Sequence, residues 1–102
     1  MEIIDLNKNG ETGKGVDFVV KCKTSDKIIK LIEVKSTTGL RGSEQRISGV
    51  QWETARKEGD LYWIYCVYNI KNDPVVVRIQ NPIQKWKDGL LFADPVDFII
   101  KE

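Results

Sequence analysis

The stretch VDFVVKCKTSDKIIKLIEVKS, running from Val16 to Ser36, decides how the rest of the chain is read. Val16 to Cys22 is rich in β-branched and aromatic residues and reads as a strand, and so does Lys27 to Ser36. Thr24-Ser25-Asp26 between them is turn chemistry. Side chains alternate between the faces of a strand. Ile29, Leu31, Glu33 and Lys35 therefore share one face, which begins apolar and ends charged. Asp17 is the acidic exception in the first strand. A hairpin with a three-residue loop sets Lys23 opposite Lys27. Counting back along both strands then sets Asp17 directly opposite Glu33, with Cβ atoms roughly 4.5–5.5 Å apart. Like charges at that distance repel unless a cation lies between them. Mg²⁺ is suited to one or two carboxylates plus waters and phosphate oxygens, and Lys35 is two residues along the same face. The residues alone leave a plainer alternative open, with Asp17 at a solvated strand end and Glu33 paired to Lys35 on the surface.

Working outward, Ile3 to Leu6 reads as a short edge strand and the glycine-containing segment after it as a loop. Leu40 to Ser48 is polar and basic and reads as a loop. Ser48-Gly49-Val50-Gln51 has the spacing of a capping box, which starts a helix that runs to Glu58 and stops at Gly59. Leu61 to Ile70 is almost wholly apolar and aromatic, as expected of a central strand covered on both faces. Lys71 to Pro74 is a turn, and Val75 to Gln80 returns as a strand. Ile83 to Lys87 reads as one helical turn, with Trp86 packing onto the sheet. Val96 to Ile100 reads as a last strand or docked edge. The order predicts an α/β domain, a mixed β-sheet flanked by a helix, as a single unit over residues 1–102.

Composition narrows the chemistry. The chain has 102 residues, of which 41% are hydrophobic and 30% charged, with a net charge of +1. It contains no histidine, which removes Ser-His-Asp and Cys-His catalysis and histidine metal sites. Cys22 and Cys66 are far apart and are expected to stay reduced, which suits a cytoplasmic protein. No apolar run is long enough for a transmembrane helix, so no membrane association is expected. From Lys21 to Arg46 there are seven basic and three acidic residues, a local excess that can favour a polyanion. Arg41 and Arg46 read equally well as phosphate contacts or as a solvated loop. Lys21 is read more simply as a solvent lysine; Gln51, on the first turn of the helix, could approach the site, but the cap explains it without function. Trp52, Tyr62, Trp63 and Tyr65 are read as core and sheet-face aromatics.

Gly15-Val16-Asp17-Phe18 and Ile32-Glu33-Val34-Lys35-Ser36-Thr37-Thr38-Gly39 resemble the D…(D/E)-x-K core of the PD-(D/E)XK nuclease superfamily. Gln51 to Ala55, Gly59 to Asn69 and Arg78 to Pro82 narrow the resemblance to the DUF3883 domain, also called the NO VEIN C-terminal domain. The resemblance covers roughly Lys14 to Ile83. It implies a restriction-endonuclease-like core in which Asp17 and Glu33 hold Mg²⁺ or Mn²⁺, with the Val34 carbonyl as a third ligand. Lys35 would orient or deprotonate the attacking water, and Lys21, Arg41 and Arg46 would contact nucleic acid. The function so implied is hydrolysis of DNA phosphodiester bonds. The alternatives are a non-catalytic nucleic-acid-binding or interaction module, or a structural dimerisation domain. The superfamily core begins with a helix, for which Met1 to Gly15 is too short and glycine-rich. The chain is therefore expected to be a piece of a larger parent polypeptide, or to lack that helix, and to act there or as a homodimer.

Overall fold

A computed structural model describes residues 1–8 and 15–93. Its sheet is built from β1 (Glu2–Asp5), β2 (Phe18–Lys21), β3 (Ile28–Ser36), β4 (Tyr62–Tyr68) and β5 (Val75–Gln80). They lie side by side in sequence order. All neighbours are antiparallel except β3 and β4, which run parallel. Parallel neighbours need a crossover, and α1 (Gly49–Glu58) provides it. The mixed sheet flanked by helices is the α/β architecture expected from the sequence. The segment Val96 to Ile100 lies outside the described residues.

The hairpin between β2 and β3 reaches the expected register by a different route. Phe18 pairs with Ile32, Val19 with Leu31 and Val20 with Lys30, but Lys21 pairs with Ile28. Ile29 is thus an extra residue, a bulge. Beyond it the Cys22 amide donates to the Lys27 carbonyl at 2.8 Å, so Lys23 to Asp26 form a four-residue loop, not a three-residue one. Asp26 takes a left-handed conformation (φ 58°) and donates its amide back to the Cys22 carbonyl. A longer loop alone would slip the pairing by one residue and invert every side chain. The bulge absorbs that residue, and the alignment of Asp17 with Glu33 survives.

The two faces of the sheet differ. Val19, Leu31, Tyr62, Ile64, Cys66 and Tyr68 point to one face and form the core with Ala55 of α1 and Ile83 of α2 (Pro82–Lys87). Trp63, Tyr65 and Val67 point to the other and are half-buried. There Lys30 lies 4.5 Å over the Trp63 ring and Arg78 lies 5.4 Å over Tyr65. Thus β4 is not covered equally on both faces: long basic side chains, rather than a helix, cover its second face among the described residues. Trp86 also departs from expectation. It packs edge-on against Trp52 of α1, with ring centroids 5.5 Å apart, because α2 runs beside α1.

The capping box of α1 forms as read. The Ser48 hydroxyl accepts from the Gln51 amide at 3.2 Å, and the Gln51 side chain accepts from the Ser48 amide at 2.9 Å. The Gly59 amide closes the last turn onto the Ala55 carbonyl. At Gly15 (φ 80°) a Cβ would fall 2.3 Å from the Thr54 hydroxyl oxygen. Only glycine lets α1 approach the start of β2 this closely, and that approach shapes the cleft described next.

Candidate active site

Asp17 extends the sheet one residue beyond β2. Its amide donates to the Ile32 carbonyl at 2.9 Å, and its carbonyl accepts from the Leu6 amide at 2.9 Å. With the backbone held from both sides, the carboxylate has little freedom. One of its oxygens accepts from the Val34 amide at 2.8 Å and the other from the Asn7 side chain at 2.7 Å.

Glu33 lies on the next strand and on the same, helix-covered face. It is only 4% exposed, the one charged residue buried among the described residues. Its Oε1 accepts from the Gln51 side-chain amide at 2.5 Å and lies 3.5 Å from the Lys35 ammonium. Burial pushes the Glu33 carboxyl above its ordinary range. The neighbouring Asp17 carboxylate adds to this, while Lys35 opposes the rise. Beneath them, the buried Tyr62 hydroxyl donates to the Gly15 carbonyl at 2.6 Å. Its ionisation is pushed up by burial first and by the Glu33 and Asp17 charges second.

These groups open into a cleft of about 160 Å³ whose lining includes Asn7, Asp17, Glu33 and Gln51. The amide and carbonyl of a strand residue point to the same side. The Val34 carbonyl therefore points to the β2 side, as its amide does. Two carboxylates and a strand carbonyl are hard oxygen donors, a set that suits Mg²⁺ or Mn²⁺ with waters completing the shell. Among the described residues, no three Asp, Glu, Cys or His side chains converge, so a divalent ion would draw on backbone and water oxygens here.

The fold brings Asp17, Glu33, Val34 and Lys35 together. It does not bring Lys21 to them. Four residues along β2 from Asp17, Lys21 is roughly 13 Å away, and its ammonium is 3.6 Å from Asp26. Arg41 and Arg46 are exposed on the loop between β3 and α1 and do not line the cleft. One member of the site, Asn7, escapes the sequence reading of roles, and another, Gln51, is read first as a cap. Gln51 reads as a cap, but only its Oε1 is used for that; its Nε2 turns inward to Glu33. The signal was available, since a capping glutamine keeps its amide donors free. Asn7 carries no such signal, because only the return of the chain from β1 to β2 places it beside Asp17.

Among the described residues no helix is long and apolar enough to cross a membrane. The family model described as Protein NO VEIN, C-terminal, matches residues 1–79, which span β1 to all but the last residue of β5 and include all the carboxylate-cleft residues. No curated protein and no solved structure matches the chain.

Proposed function

The chain belongs to the Protein NO VEIN, C-terminal, family, and from that premise we propose that it is a Mg²⁺- or Mn²⁺-dependent nuclease domain of PD-(D/E)XK type, cleaving DNA phosphodiester bonds in the cytoplasm. The observation that carries the reading is the meeting of Asp17 and buried Glu33 at one cleft, with the Lys35 ammonium 3.5 Å from Glu33. Asp17, Glu33 and the Val34 carbonyl are the groups that would hold the ion. When bound, the ion supplies Lewis acidity toward a phosphate oxygen and a more acidic water. The remaining work falls to the chain. Lys35, tethered 3.5 Å from Glu33, holds and orients the attacking water and faces the charge that develops on phosphorus. Gln51 fixes the Glu33 rotamer by pinning Oε1, and the Asn7 and Val34 donors do the same for Asp17. None of these steps needs a histidine.

A second reading, a non-catalytic nucleic-acid-binding or interaction module, is favoured by one feature. Both Asp17 oxygens already accept protein hydrogen bonds, as in a purely structural carboxylate. Calorimetric titration with Mn²⁺ separates the two. The nuclease reading expects binding by the native chain that is lost in Asp17→Ala and in Glu33→Ala, with fold retained, together with Mn²⁺-dependent cleavage of DNA. A folded native chain that binds no Mn²⁺ and cleaves nothing would leave the binding-module reading.

A further inference from the structure

A second recess lies on the same face of the sheet and takes no part in the chemistry above. Its volume is about 500 Å³, with Val77, Ile79 and Leu91 among its apolar walls and Tyr68, Arg41 and Lys85 among its polar ones. Among the described residues no carboxylate lines it, and the charge they give it is positive. Arg41 comes from the loop after β3 and Lys85 from α2, two elements far apart in the chain. One donor of the Lys85 ammonium is anchored on the Gln80 carbonyl at 3.2 Å, which fixes the head while leaving its other donors available. Arg41 lies near enough to Tyr68 to oppose the rise that burial imposes on that hydroxyl.

The recess and the acidic cleft are arranged in sequence along one edge. Glu33 pairs with Ile64, and Tyr68 is four residues further along β4. At about 3.3 Å per residue and about 4.8 Å between strands, Tyr68 is roughly 14 Å from Glu33. The loop between β3 and α1 joins the two: Arg41 faces the recess, while Ser48, at its other end, lines the acidic cleft.

We propose that this recess holds one unpaired nucleotide of the strand whose phosphodiester lies at Asp17 and Glu33, with its base against the apolar wall and its phosphate between Arg41 and Lys85. An apolar wall with converging cations and no acid is complementary to a planar base carrying a phosphate. A stacked and paired base cannot enter such a recess. The substrate is therefore single-stranded or locally unpaired. The identity of the strand rests on the nuclease reading; the nucleotide recess does not.

The test is an amide NMR titration of the full chain with deoxyadenosine monophosphate in metal-free buffer, beside binding of one labelled oligonucleotide as a single strand and as a duplex. Saturable shifts at Tyr68, Val77 and Ile79 are expected, weakened at least tenfold by Arg41→Glu and by Lys85→Gln, each checked for an unchanged amide spectrum elsewhere. Tighter binding of the single strand by at least tenfold is expected as well. Shifts confined to the acidic cleft, indifference to both substitutions, or equal affinity for duplex would each overturn the inference. Nucleotide binding in the recess without Mn²⁺ binding or cleavage would retain it and remove the nuclease reading. Mn²⁺-dependent cleavage with no nucleotide in the recess would do the reverse.

Discussion

The two ends of the β2–β3 hairpin obey different rules. At the turn end the ladder is loose: a bulge at Ile29, a four-residue loop, a left-handed Asp26 and exposed lysines. At the other end every group is fixed. Asp17 is bonded through amide, carbonyl and both carboxylate oxygens, and Glu33 is buried against Gln51 and Lys35. The same two strands thus carry an adaptable end and a rigid one. The lesson is that strand register, and not turn type, is what this chain protects. The irregularities at the turn end cancel before they reach the carboxylates.

Single-residue deletions test that contrast most harshly. Removing Ile29 takes out the extra residue and leaves every other pair as it is, so the chain is expected to fold with Asp17 still facing Glu33. Removing Leu31 forces the rest of β3 either to slip or to turn Glu33 and Lys35 to the opposite face. That also empties a core position, which costs at least the 2–5 kcal/mol typical of a large-to-small core change. Thermal unfolding should show ΔLeu31 largely unfolded and ΔIle29 cooperative. Equal damage from both deletions would mean that the turn end is as demanding as the acidic end.

Glu33→Gln is the next largest effect, and here stability and function should move in opposite directions. On the nuclease reading, cleavage falls by about 10²–10⁴-fold, the range associated with losing a positioned group at the reacting centre. Stability in the presence of a chelator should rise. Burial and the Asp17 charge raise the folded carboxyl above its ordinary value. The protonated side chain is thus favoured by folding, and this contribution is full below the unfolded value and is lost as pH rises through the folded one. The melting temperature of Glu33→Gln relative to the native chain should therefore climb from acid to neutral pH. A flat difference would show that burial and the Asp17 charge together do not raise the Glu33 carboxyl in the folded chain.

Gln51→Ala and Ser48→Ala divide a smaller effect into its parts. Both break the capping box and should cost about 1 kcal/mol in denaturant unfolding. Only Gln51→Ala releases Glu33, and on the nuclease reading it alone should weaken Mn²⁺ binding, by about 10–100-fold. If Ser48→Ala weakens the metal equally, the glutamine acts through the helix and not through the carboxylate.

Much of this was legible in advance because it depends on local periodicity. The alternation in Ile28 to Ser36 and the turn residues near Thr24 to Asp26 gave the hairpin. The facing carboxylates, however, were reached from a three-residue loop and survive only because the bulge at Ile29 offsets the fourth loop residue. The serine-glutamine spacing gave the helix start. What escaped depends on chain path. Nothing in LYWIYCVYNI says that its even positions meet helices while Trp63 and Tyr65 meet Lys30 and Arg78. A run that is apolar throughout reads the same whether one face or two are covered. The burial of Glu33 follows from the same unknown, since it depends on which face α1 crosses. The recess at Tyr68 is assembled from β4, β5, α2, the loop after β3 and the segment after α2, and has no sequence signature.

The smallest effect contrasts the two cysteines, one at each kind of environment. Cys22 adjoins the turn, where the Thr24 and Ser25 hydroxyls, and then their amides, hydrogen-bond to it and hold its pKa down to about 6. Cys66 is buried in β4 at 3% exposure, and burial pushes its thiol up. The thiolate is the species that alkylates. Iodoacetamide at neutral pH should add once, at Cys22, with a rate that rises to half its plateau near pH 6. Cys66 should react only after unfolding, and the fold should be indifferent to the first adduct because Cys22 lies outside the paired part of β2. Peptide mass spectrometry across pH reads both residues at once. Two adducts in the native chain would mean that β4 opens as readily as the turn, and the division between a loose end and a fixed core would fail.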